Sequence, residues 1–190
     1  MNKKRQKQIE EIASTILRQT GFYPARLDDL IDDMGIPVDQ VATQLGIALV
    51  PYDFGEDVSG VLLRDGLNAQ IGYAVHNSPK RQRFTIAHEL GHYVLDHRRQ
   101  GVFVDTVEKY LTLFRDSNSS TGENVQEREA NAFAAALLMP LDLVSQAIKA
   151  VSPADIRREE NYNLIGPLAR RFNVSELAMS YRLTNLDQVW

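Results

Sequence analysis

Arg83-Phe84-Thr85-Ile86-Ala87-His88-Glu89-Leu90-Gly91-His92 contains the pattern His-Glu-x-x-His within a segment, about 79 to 99, whose apolar spacing predicts a helix. Side chains four apart stack on one helical face. His88 and His92 can therefore present ring nitrogens to a single ion at about 2.0–2.1 Å from each. Glu89 is rotated by about 100° from His88, which sets its carboxylate beside such an ion, where it can take a proton from water. A histidine pair on a helix also arises from packing alone. The flanking segments weigh against that, since a strand hairpin precedes and a carboxylate-bearing helix follows.

Three protein ligands and one open position are usual for a catalytic zinc, so a third ligand has to come from elsewhere. His97 misses the elongated motif His-Glu-x-x-His-x-x-Gly-x-x-His, which would need glycine at Leu95 and histidine at Arg98. On a helix that ran on, it would point about 180° from His88 and about 140° from His92. A packing or supporting role is expected for it. The better source is the small-residue helix of about 123 to 139, which contains Glu127-Arg128-Glu129-Ala130-Asn131. Glu127 and Glu129 lie about 200° apart around its axis, so one of them faces the site. Hydrophobic pattern does not choose between them. Asn131 sits one turn beyond Glu127, where its amide can orient a ligand histidine, and that favours Glu127 and leaves Glu129 expected at the surface.

Working outward, apolar residues at helical spacing from 3 to 20 end at Gly21, and a short helix starts after Pro37 and stops at Gly46. Residues 47–50, 58–63 and 70–75 read as strands, with Asp65-Gly66 as a hairpin turn. Helices are expected at 79–99, 105–115, 123–139, 141–150, 160–172 and 175–184, with a polar loop over 115–122. The class is α+β: a small, mainly antiparallel sheet with the His-Glu-x-x-His helix and surrounding helices. The expected division is a helical segment 1–46, a core 47–150 and a C-terminal segment 151–190, packed as one unit.

With no cysteine in the 190 residues, thiolate metal sites, disulfides and cysteine nucleophiles are excluded, so any metal is held by His, Asp or Glu. A net charge of −4 disfavours a chain whose main work is gripping phosphates. No apolar run approaches the roughly 20 residues of a membrane span, and the polar start does not resemble a signal core, so a soluble, cytoplasmic protein is expected. Residues 164–184 read as a helix-turn-helix with Ser175 as N-cap. In its second helix only Arg182 and Asn185 suit base edges, so packing or partner docking is expected over DNA reading.

Residues 81–92, followed by Glu127 through Pro140, resemble the ImmA/IrrE family of zinc metallopeptidases, over about 25 to 184. The resemblance implies a gluzincin-like site with His88, His92 and Glu127 as zinc ligands and Glu89 as catalytic base. It also implies a protein substrate, typically a helix-turn-helix repressor. Asn131 departs from the pattern, since related gluzincins commonly carry aspartate there. The residues themselves suit manganese, cobalt or iron as well as zinc. The strand before the helix, through Ile71, Tyr73 and Val75, is expected to be an open edge on which substrate adds as an extended strand.

Overall fold

In the computed structural model, residues 1–30, 33–55, 58–65, 68–97, 105–106, 122–150 and 164–186 are described. Helix α1 (Lys3–Gln19) starts at Asn2, whose side chain accepts from the Arg5 N–H, and buries Ile9, Ala13 and Leu17 completely. A single 3-10 turn (Leu27–Asp29) leads to α2 (Val38–Gln44) and then to the sheet strands β1 (Ile47–Tyr52), β2 (Val58–Asp65) and β3 (Asn68–Ala74). Ser78 caps α3 (Pro79–Val94), and proline takes its first position, where no N–H is needed. Strand β4 (Asp105–Thr106) completes the sheet.

The strand order is β1-β3-β2-β4, with β2 antiparallel to both neighbours and β1 parallel to β3. The hairpin of β2 and β3 forms as expected, closing at Asp65 opposite Asn68; its turn, at 66–67, lies outside the described residues. What overturns an expectation is where β3 ends up. It lies between β1 and β2, and Ile71 is fully buried. Val75, just past the strand, still donates its N–H to the Tyr52 carbonyl at 3.1 Å. Residues 70–74 thus belong to an interior strand, so Ile71 and Tyr73 offer substrate no open edge, and Val75 lies just past it with its N–H committed to β1. The expected helix at 105–115 also fails at its start, because Asp105 and Thr106 pair with β2; 107–115 and the polar loop to 121 lie outside the described residues.

Helix α4 (Gly122–Leu138) crosses α3 at close range. The contact is small on small: a Cβ added to Gly91 would sit 3.1 Å from both the Cα and the carbonyl oxygen of Ala130. Helix α5 (Leu141–Ala150) follows Pro140, and α6 (Ile165–Arg171) and α7 (Glu176–Leu186) make the C-terminal pair, with 160–163 outside the described residues. Ser175 caps α7 by accepting from the Ala178 N–H. Phe172 and Met179 are fully buried. No single helix among the described residues is long and apolar enough to cross a membrane.

Arg182 of α7 is turned inward and only 1% exposed. Its Nη2 donates to Glu10 Oε2 at 2.8 Å, its Nη1 to Glu10 Oε1, and its Nε to the Met139 carbonyl at 3.0 Å. One of the two side chains in α7 suited to base edges is therefore committed to α1. Removing one member of a buried pair strands the other charge at a cost of about 3–5 kcal/mol. Arg182→Met should lower the urea midpoint accordingly, and an unchanged midpoint would remove this pair from the stabilising contacts.

Candidate metal centre

The two histidines of α3 face α4 because Gly91 lets the helices approach. Across that contact His88 Nε2 lies 3.3 Å from Glu127 Oε2, His92 Nε2 lies 3.6 Å from the same oxygen, and the two Nε2 atoms are 3.0 Å apart. Ligands at roughly 2.0–2.1 Å from a tetrahedral zinc are separated by about 3.3 Å. The triangle brackets that value on all three edges, and these residues could hold one metal ion.

Hydrogen bonds behind the rings fix which nitrogen carries the proton. Asn131 Oδ1, an acceptor, lies 2.9 Å from His88 Nδ1, which therefore donates and leaves an Nε2 lone pair pointing inward. His92 is held by a longer chain. Its Nδ1 meets His97 Nδ1 at 3.0 Å, and His97 Nε2 meets Glu129 Oε2 at 3.2 Å. Because the carboxylate accepts, a neutral His97 carries its proton on Nε2, and its Nδ1 accepts from His92 Nδ1–H. His92 Nε2 is then also a lone pair. Two such nitrogens and a carboxylate oxygen converging within 3.6 Å repel one another unless a cation lies among them, so the donor set fits a divalent ion.

His97 reaches its place because α3 stops. The His97 N–H bonds the His92 carbonyl and the Asp96 N–H the Tyr93 carbonyl, a closure that requires Asp96 at φ 49° and folds the chain back over the last turn. The expected supporting role for His97 is what the structure displays, although the rotation angles assumed a helix that continued. Glu129 differs from expectation. It is 9% exposed, with Arg5 Nε donating to its Oε1 at 2.8 Å. The Arg5 guanidinium holds the Glu129 carboxyl below the usual carboxylate range, burial pushes the other way, and His97 adds to the lowering.

Glu89 points from α3 toward β2, and Gly60 makes room for it. A Cβ at position 60 would come within 2.3 Å of Thr85 Cγ2 and 3.3 Å of Glu89 Oε1. His88, Glu89, His92 and Glu127 are each at most 2% exposed.

Residues 42–184 match the family model of the IrrE N-terminal-like domain, well over half of the chain. The chain belongs to the IrrE N-terminal-like domain family. Over 111 residues it is 31% identical to the radiation response metalloprotease IrrE of Deinococcus radiodurans, an alignment covering 58% of this chain and 29% of that protein. A solved structure titled as a Mycobacterium tuberculosis transcriptional regulator superposes with a TM-score of 0.57 at 20% identity, covering 93% of this chain and 46% of that one, and shares the fold. This IrrE-like domain thus spans less than half the length of either relative. Helix α1, with Arg5, precedes the family-matched segment.

Sequence reasoning did not single out Gly60, Gly91 or Arg5. A glycine inside the apolar strand Val58-Ser59-Gly60-Val61-Leu62 was a readable sign of close backbone approach. Arg5 gave none, being 124 residues from its partner. Since removing a group that orients a ligand typically weakens metal binding about 10–100-fold, Asn131→Leu should do so in a chelator competition. Gly91→Val, which pushes α3 and α4 apart, should weaken it as well. Wild-type affinity in both variants would mean that neither the amide nor the helix spacing shapes the centre.

Proposed function

We propose that this chain is a zinc-dependent endopeptidase, with His88, His92 and Glu127 as the zinc ligands, Asn131 orienting His88, and Glu89 as the general base. The observation that carries the reading is the triangle of two Nε2 atoms and a carboxylate oxygen, 3.0, 3.3 and 3.6 Å on its edges, with Glu89 one residue along the same helix. Nitrogen and oxygen donors in tetrahedral reach suit zinc, a borderline-soft ion.

When bound, such an ion polarises a scissile carbonyl and acidifies the attacking water. Glu89 takes the proton of that water and returns it to the leaving amine, so the same carboxylate serves as base and then as acid. Its buried position against β2 keeps bulk water from competing for that proton. Asn131 holds His88 in the tautomer that leaves Nε2 toward the ion. The substrate is a protein, and the resemblance of residues 81–92 and 127–140 to ImmA/IrrE metallopeptidases supports a helix-turn-helix repressor as its class.

Burial favours a second reading. With the four central side chains at most 2% exposed, a domain that holds a metal for structure or partner recognition, without cutting, would look the same. Glu89→Gln separates the two. It should retain zinc at wild-type stoichiometry and lose at least 10²-fold of cleavage rate toward a candidate repressor, the scale of a general-base contribution. Equal processing by wild type and variant would exclude the peptidase.

A further inference from the structure

The chain of contacts behind His92 does not end within the family-matched segment. It runs from His92 Nδ1 to His97 Nδ1 at 3.0 Å, from His97 Nε2 to Glu129 Oε2 at 3.2 Å, and from Glu129 to Arg5 of α1. Arg5 engages both carboxylate oxygens, and its Nη1 is steadied by Gln8 Oε1 at 2.8 Å. A two-toothed guanidinium–carboxylate contact fixes the plane of the carboxylate as well as its charge. We infer that Arg5 is a positioning residue for the metal centre, acting through Glu129 and His97 to set the orientation and proton placement of His92. The inference rests on the metal-centre reading above.

Direction of donation carries the argument. With His97 neutral, one arrangement satisfies every link: Arg5 donates to Glu129, Glu129 accepts from His97 Nε2–H, and His97 Nδ1 accepts from His92 Nδ1–H. Only then does His92 turn a lone pair toward His88 and Glu127. If Glu129 were free to rotate, His97 could carry its proton on Nδ1 and would face the His92 ring donor to donor. The two ligand histidines are thus oriented by different means. His88 relies on a neutral amide from the helix that also carries Glu127, whereas His92 relies on a charged chain that reaches an element before the family-matched segment. Helix α1 has a second anchor, the Glu10–Arg182 pair, which does not touch this chain of contacts.

That second anchor supplies the control. Zinc affinity by chelator competition and the visible spectrum of the cobalt-loaded full chain are to be compared for wild type, Arg5→Met, Arg5→Lys, Glu129→Gln and Arg182→Met. Glu129→Gln is expected to weaken zinc about tenfold or more and to shift the cobalt bands. Arg5→Met should do the same to a smaller extent, with Arg5→Lys in between because it restores the charge without the fork. The Arg5→Met, Glu129→Gln double variant should be no weaker than Glu129→Gln alone, as members of one chain are not additive. Arg182→Met should lower the melting temperature and leave affinity and spectrum as in wild type. If wild type takes up neither metal, the metal-centre reading itself fails. If wild type binds and Arg5→Met matches it in both readouts, that reading stands and this inference is overturned; it is likewise overturned if Arg182→Met perturbs the centre as much as Arg5→Met.

Discussion

Two helices that meet closely where Gly91 carries no side chain set the geometry near the centre. At Gly91 the α3 backbone lies against Ala130 of α4, and a single methyl group there would already press on the neighbouring chain. That contact brings two imidazoles, one turn apart on α3, opposite a carboxylate on α4. Separating the helices would draw Glu127 away from both rings and open the triangle that a single cation would bridge. The same helix uses its adjoining face against β2, where Gly60 leaves room for Glu89. The proposed ligands His88 and His92 and the proposed base Glu89 therefore lie on neighbouring stripes of one helix, each stripe facing a glycine-enabled close contact, while Glu127 comes from α4.

Burial then makes hydrogen-bond direction decisive. In a site this buried, a histidine with its proton on the wrong nitrogen is a poor ligand. Asn131 settles the matter for His88 in one step. His92 needs three residues from three places in the chain, ending at a guanidinium on α1. Charged groups at the outer end of such a chain hold it firmly, because rotating any member leaves a buried donor or acceptor without its match.

The parts that local periodicity governs were legible in the sequence. Four-residue spacing set His88 against His92 and Glu127 against Asn131, and the 100° step put Glu89 aside from both ligands; helix α1 and the Pro37 helix followed from their stripes and terminators. Where the chain depends on non-local pairing, the sequence was silent. Strand β3 reads the same whether it lies at an edge or in the middle, and only its parallel partner β1 makes it interior. His97 and Glu129 depended on where α3 ends. Asp96 in a left-handed conformation is a weak signal compared with the glycine that usually marks such a stop, so the return of His97 onto His92 could not be seen. The helix-turn-helix pattern was legible as a shape. That its Arg182 turns inward to Glu10 is a fact of packing across 172 positions.

X-ray absorption at the zinc edge on the metal-loaded protein tests the central claim most directly. The account predicts one zinc with two imidazole nitrogens at about 2.0–2.1 Å, one carboxylate oxygen at about 2.0–2.2 Å, and a water-derived oxygen in the remaining position. A spectrum requiring three imidazoles would make His97 a ligand in place of Glu127 and contradict the arrangement described for both.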